Sequence, residues 1–318
     1  MGYKIELPLD SKVRNVSIFG FVIKCFTWTV LIVGAFQIPP LFGTVNRGLF
    51  CNDESIHYDY RPNTISLIQK MIYNISITIS IIFSIETWRF YKVKSFREST
   101  NYQWKNYNIH KILVQFWKYF EICTIGYFVT VACNISTKHM VGRLRPNFWE
   151  VCKPINGTCS FEEPYKYIAD IECTGDPNAV EDARKSFYSG HSAVCFYIAV
   201  WLALYIQARI FKHLNNHIFV PVLQTFLLLV ASAIGFSRLY DNKHHWSDIL
   251  VGSIAGTITA IITCCCWSDL FQNRINKQTA TNVQTAESST TLGTDLSRES
   301  SVNDRISIRT SSTYIKNN

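Results

Sequence analysis

Hydrophobic residues in this chain gather into six long blocks, roughly Val16–Gly43, Thr64–Glu86, Leu113–Ser136, Ala193–Ile210, Ile218–Phe236 and Ile249–Trp267. A helix needs about 20 apolar residues to cross the hydrocarbon core of a bilayer, so the pattern predicts six transmembrane helices. The fourth and fifth blocks are short and would also suit buried helices of a soluble domain, but six blocks in one chain favour a membrane. Lys24 and Lys70 interrupt the first two blocks near their ends, where a long side chain can snorkel to the headgroups. The first block is too long for a signal peptide and lacks a small-residue cleavage site, so it reads as a retained helix.

The polar positions complete the plan. Thr137–Ser192 is a long polar loop between the third and fourth blocks, and Ser237–Ser247 is a short one between the fifth and sixth. Beyond Trp267 the chain is rich in Ser, Thr, Asn and Gln, a composition that cannot bury enough apolar surface to order itself. The expected organisation is an all-α polytopic membrane domain over residues 1–270, its chemistry built from loops, and a disordered tail over 271–318. No internal repeat is visible.

Composition changes this picture only slightly. Charged residues are 17% of the chain, below the usual quarter of a soluble domain. The net charge of +8 would suit nucleic acid if a basic stripe ran with the aromatics. It does not, and basic loops flanking membrane helices account for the excess. An even number of spans puts both termini on one side, and Lys and Arg divide evenly between the two faces, so charge alone does not orient the chain. The sequon Asn156-Gly157-Thr158 lies in the middle of the long loop and argues for a glycosylated, outside or luminal face there. Asn15-Val16-Ser17 would argue the reverse, but it abuts the first helix. Cys51, Cys152, Cys159 and Cys173 fall in the same set of loops. They are either free thiols or disulfides, for which four cysteines allow three pairings. The termini are therefore expected in the cytoplasm, where Cys264–Cys266 would be a palmitoylation site or merely small-volume packing.

Three clusters at membrane boundaries carry the chemistry, and six spans bring all three to one face. Lys138 and Arg145-Pro146 follow the third block; Ser189-Gly190-His191 precedes the fourth; Ser237-Arg238, His244 and Asp248 lie between the fifth and sixth. Lys138, Arg145 and Arg238 suffice to cradle a dianionic phosphate, Arg with bidentate geometry. Ser189 and Gly190 precede a helix, whose free N–H groups favour an anion. His244 and Asp248 are four residues apart and would share a face on a helical turn, the carboxylate fixing the tautomer so that the other ring nitrogen can attack. His191 can protonate a leaving alkoxide. Taken singly, each feature has a plainer explanation: interfacial anchoring for the cations and for His244-His245 beside Trp246, a metal pair for His244 and Asp248, a chance tripeptide for Ser189–His191. No further ligands of metal-site spacing accompany the pair. Their coincidence in order and on one face favours a site.

The set Lys, six residues, Arg-Pro; Ser-Gly-His; Ser-Arg, five residues, His, three residues, Asp resembles the three-part signature of the type 2 phosphatidate phosphatase superfamily. The stretches GRLRPNFWEVC, ARKSFYSGHSA, KHHWSDILVG and FCNDESIHYDY resemble the animal, Wunen-like lipid phosphate phosphatases, and the similarity covers about residues 16–267. Tyr188 stands where the superfamily often has proline, as is usual in the animal group. The resemblance implies a metal-independent, cofactor-free phosphohydrolase. His244 would be the nucleophile, His191 the acid and Asp248 the partner of His244; Lys138, Arg145, Ser189, Gly190 and Arg238 would hold the phosphate. Implied substrates are phosphatidate, lysophosphatidate, sphingosine 1-phosphate and ceramide 1-phosphate in a bilayer, the plasma membrane first and the ER or Golgi second, with a second copy of the chain as a candidate partner. The rival readings are a catalytically weak relative acting as an interaction protein, and a transporter, which would need ionisable residues deep in several helices.

Overall fold

The computed structural model describes residues 13–15, 18–41, 43–98, 101–155, 159, 165–214 and 218–271. Met1–Ser268 forms one compact unit and Asp269–Asn318 a second. The expected disordered tail, from residue 272 on, and the sequon at Asn156 lie outside the described residues. The first unit runs β1 (Val13–Asn15), α1 (Ile18–Leu41), β2 (Leu49–Phe50), α2 (Leu67–Lys92), α3 (Lys94–Glu98), β3 (Asn101–Trp104), β4 (Tyr107–Ile109), α4 (Lys111–Val141), α5 (Phe148–Cys152), β5 (Tyr167–Ile168), α6 (Pro177–Ala183), α7 (Gly190–Arg209), α8 (Phe219–Tyr240) and α9 (Trp246–Ile262).

The chain is a helical, multi-pass membrane protein. Among the described residues, α2, α4, α7, α8 and α9 with the π turn that extends it are long and apolar enough to cross a membrane. The helix α1, 24 residues long, occupies the first block. Helix α8 exposes Val222, Leu229 and Phe236, each at 60% or more. Water would not tolerate so large an apolar face, but lipid does. Helix α7 is the opposite case. It packs against α2, α4, α8 and α9, and Tyr197, Trp201 and Tyr205 on it are fully buried.

The helices run further than the apolar blocks that announce them. Helix α2 continues past Glu86 to Lys92, α4 takes in Lys138, and α8 takes in Ser237 and Arg238. A hydropathy window stops at the first charges, whereas the backbone ladder continues when each charge finds a partner or faces a cavity. Glu86, fully buried, accepts from Tyr205 Oη at 2.5 Å and from Arg209 Nε and Nη2 at 2.9 Å each, with Arg89 Nη1 at 3.1 Å. Lys70 also departs from expectation. It does not snorkel; it is 6% exposed and faces inward, as the first member of a buried set continued by Asn74, Thr78, Ile82 and Glu86 at every fourth position of α2.

Two local devices set the bundle's geometry. Helix α2 starts with a capping box, Ser66 Oγ accepting from Gln69 N–H and Gln69 Oε1 from Ser66 N–H, which satisfies otherwise orphaned donors. Helices α7 and α9 approach closely through small residues, as membrane helices do. A Cβ on Gly252 would lie 2.6 Å from the Ser189 carbonyl oxygen, and one on Gly256 would collide with that of Ala193.

The connections divide between the two ends of the bundle. At one end β1, β3 and β4 form a small sheet, β1 parallel to β3 and β3 antiparallel to β4. At the other end β2 pairs antiparallel with β5, tying the α1–α2 loop to the long loop. The four loop cysteines are disulfides, Cys51–Cys159 and Cys152–Cys173. Cys152 belongs to a small apolar core with Leu49, Ile56, Leu144 and Phe148 that braces this end.

Candidate active site

The three polar clusters meet at the disulfide-bearing end, sewn together by backbone hydrogen bonds. Arg145 N–H donates to the Ala183 carbonyl at 2.8 Å, Ser186 N–H to that of Arg143 at 2.9 Å, and Ser189 N–H to that of Asp248 at 3.0 Å. They surround a cavity of ≈ 640 Å³ whose lining includes Lys70, Lys138, Arg145, Gly190, His191, Arg238, Lys243 and His244. On its membrane side the lining is apolar, with Phe36, Leu67, Met71, Phe128, Val131 and Ile135.

Charge in this cavity is unbalanced. Five Lys or Arg side chains line it against one carboxylate, Asp182. Arg145 Nη2 donates to Asp182 at 2.7 Å. Arg238 is fixed from the loop before α2 and from its own turn, Nη2 donating to Asn63 Oδ1 and Nη1 to Asp241 Oδ2, both at 3.0 Å. Lys243 Nζ sits 3.6 Å over the Tyr60 ring; burial first, then Arg145 and Arg238, lower its pKa to about 8. Arg145 Nε, Arg238 Nε, His191 Nε2 and Asn147 Oδ1 are buried without partners, and all four residues line the cavity. Buried polar atoms are nearly always satisfied, and surplus positive charge beside free N–H donors fits an anion.

His244 is 2% exposed. Burial, reinforced by Lys138 and Arg145 and only partly opposed by Asp248, lowers its pKa to about 3, so the ring is neutral at physiological pH. Its link to Asp248 differs from the shared helical face expected. His244 lies outside α9, whose N-cap is His245, and Asp248 in the first turn folds back to accept from His245 N–H at 3.0 Å. His244 Nδ1 and Asp248 Oδ2 are 3.7 Å apart, beyond hydrogen-bond reach. Ser186 stands between them, its Oγ donating to Asp248 Oδ2 at 2.6 Å and lying 3.5 Å from His244 Nδ1. Arg143 completes the shell, Nη1 donating to Asp248 Oδ1 at 2.6 Å and to Ser247 Oγ at 2.8 Å. Neighbouring His245 turns away, its Nε2 3.0 Å from the Leu144 carbonyl oxygen.

Of the residues singled out in the sequence, Lys138, Arg145, Gly190, His191, Arg238 and His244 line the cavity, while Asp248 and Ser189 lie behind it. The Ser189 hydroxyl caps α7, accepting from Ser192 N–H at 3.4 Å. That leaves the N–H groups of the first turn of α7 as the donors this segment offers an anion. Sequence reasoning passed over Arg143, Ser186, Lys243 and Lys70. Arg143 and Lys243 were visible as charges inside the motif segments; nothing in the sequence marked Ser186.

A family model described as the PAP2 superfamily matches residues 115–272. A Caenorhabditis elegans protein named phospholipid phosphatase homolog 1.2 homolog is 46% identical over 263 residues, 83% of this chain and 75% of the relative. Phospholipid phosphatase 2 from Rattus norvegicus is 38% identical over 72% of this chain and 78% of its own, and the Homo sapiens protein of that name is 38% identical over 72% and 75%. No solved structure matches the chain.

Proposed function

The chain belongs to the PAP2 superfamily, among relatives named phospholipid phosphatases, and from that premise we propose that it is a membrane phosphohydrolase acting on lipid phosphate monoesters: phosphatidate, lysophosphatidate, sphingosine 1-phosphate or ceramide 1-phosphate. The observation that carries the reading is the cavity itself, where unpaired donors and surplus cations surround two imidazoles above an apolar wall. The headgroup sits among the cations while the tail remains in lipid.

In the proposed reaction Lys138, Arg145, Arg238 and the first N–H groups of α7 hold the phosphate oxygens, where positioning and fixed charge supply most of the catalysis. The neutral His244 attacks phosphorus through Nε2. A phosphorus–nitrogen bond forms, the bond from phosphorus to the lipid oxygen breaks, and its electron pair leaves on the alkoxide. His191, which takes up a proton together with the arriving dianion, gives it to that alkoxide. Ser186 and Asp248 hold the Nδ1 side of His244 as it becomes cationic. Water, losing a proton to His191, then attacks phosphorus; the phosphorus–nitrogen bond breaks, its electron pair returns to His244 Nε2, and inorganic phosphate leaves. Protein cations neutralise the phosphate here, so the reaction should run without a divalent ion. The disulfides at the site end favour an outside or luminal active site at the plasma membrane and cytoplasmic termini.

The test is phosphate release from the four lipids by purified protein in excess chelator, with acid-labile phosphoenzyme trapped in parallel. His244→Ala should abolish both signals. Activity that persists in His244→Ala, phosphate trapped on another residue, or activity restored only by magnesium would reject the mechanism and return weight to the weak-relative and transporter readings.

A further inference from the structure

Lys70 has no part in the mechanism above, yet it lines the same cavity. It is a 6% exposed ammonium with no hydrogen bond or ion pair to any described residue. Its position follows from helix register. Helices α2 and α7 both start at the site end and run side by side, joined by Asn74 Nδ2 to Cys195 Sγ at 3.9 Å and, three turns on, by Glu86 to Arg209. One turn back from Asn74 is Lys70, and one turn back from Cys195 is His191. The two side chains therefore face each other across the helix pair, and both line the cavity. Among the described residues that line the cavity, the one carboxylate, Asp182, is held by Arg145.

Resting on the phosphatase reading, we propose that Lys70 is a specificity-determining residue that places a fixed positive charge beside the leaving oxygen and selects lipid phosphates with no cation near the phosphoester. His191 serves the leaving oxygen in the mechanism above, so whatever the substrate carries next to that oxygen lies against Lys70. In glycerol-based lipids these are hydroxyl and ester oxygens, which accept from an ammonium. In ceramide 1-phosphate the nitrogen is a neutral amide whose carbonyl also accepts. In sphingosine 1-phosphate it is an ammonium, on the carbon next to the one that bears the leaving oxygen. Two like charges a few ångströms apart in a partly desolvated site are strongly disfavoured, and the discrimination expected is roughly 10-fold to 100-fold in kcat/KM.

The experiment compares sphingosine 1-phosphate with its N-acetyl derivative, in which a small acetyl group removes that charge, on the full-length protein in mixed micelles. The wild type should favour the N-acetyl substrate by roughly 10-fold or more. Lys70→Met should bring the ratio close to one, chiefly by improving turnover of the free amine, and Lys70→Arg should retain the preference. The ratio is taken within one preparation, so a poorly folded fraction cancels, and the wild-type ratio is a test that needs no variant. Equal rates on the two substrates, a preference for the free amine, or a ratio unchanged in Lys70→Met would overturn the proposal while leaving the phosphatase reading intact. Absence of turnover on any lipid phosphate would instead remove the reading on which it rests.

Discussion

Ser186→Ala removes a single oxygen from the protein, and it probes how Asp248 serves His244. The Ser186 hydroxyl donates to Asp248 Oδ2 at 2.6 Å and lies 3.5 Å from His244 Nδ1, while the carboxylate itself is 3.7 Å from that nitrogen. Asp248 and Ser186 are both fully buried, so no water stands ready to replace the lost donor. A hydrogen bond to a charged group contributes about 1.5–3 kcal/mol, and at about 1.36 kcal/mol per decade its loss should lower kcat about 10- to 150-fold. KM should change little, because the phosphate-holding cations are untouched. Asp248→Asn removes the charge itself and should cost more; about 10⁴-fold is the precedent in a serine triad. Residues acting through one another are not additive, so Ser186→Ala should cost far less on top of Asp248→Asn than alone. The assay is steady-state phosphate release together with the rate of phosphoenzyme formation in a single turnover. Full activity in Ser186→Ala, or additive losses in the double variant, would refute the view that Ser186 positions Asp248 and His244.

Three further outcomes follow from the same geometry. With a pKa of about 8, Lys243 is cationic below that pH and neutral above it, so kcat/KM should fall as pH rises through about 8; Lys243→Arg should move the limb upward, and an unmoved limb would assign it elsewhere. Glu86→Ala removes a fully buried carboxylate and leaves the partly buried Arg209 and Arg89 without their partner. Breaking a buried pair costs about 3–5 kcal/mol, so the unfolding temperature in detergent should drop, while protein that remains folded keeps its kcat because the site lies at the other end of α7. Asn156→Gln should remove one glycan on a gel if the long loop is outside or luminal; an unchanged mobility, with the loop open to cytosolic protease, would reverse the orientation.

Part of this arrangement was legible in the sequence because it is local. Apolar blocks announce helices, and fixed spacings such as Lys138 to Arg145 or His244 to Asp248 survive any uncertainty in the fold. What was not legible depends on partners far along the chain. Ser186 gains its place only when the long loop folds back against the start of α9, 62 positions away. Arg143 read as one more basic residue beside Arg145, since nothing in the sequence says which of two neighbouring guanidiniums turns toward Asp248 and which toward the cavity. A lysine near a helix end usually reaches for the headgroups, but the register of α2 against α7 turns Lys70 inward. The limits of α4 and α8 were placed short for a related reason, as charges that face a cavity do not end a helix.

The two glycines of α9 have a consequence beyond packing. His191 is carried by α7 and His244 by the turn that leads into α9, so neither loop by itself sets how far apart the two imidazoles stand. That separation is gauged where the helices touch, at Gly252 against Ser189 and Gly256 against Ala193. One added methyl group at Gly256, a full turn below Gly252, would act as a shim, spreading the two rings by tenths of an ångström or more. The tolerance of the catalytic gap is thus written in side chains that are missing, where α7 and α9 touch behind the site.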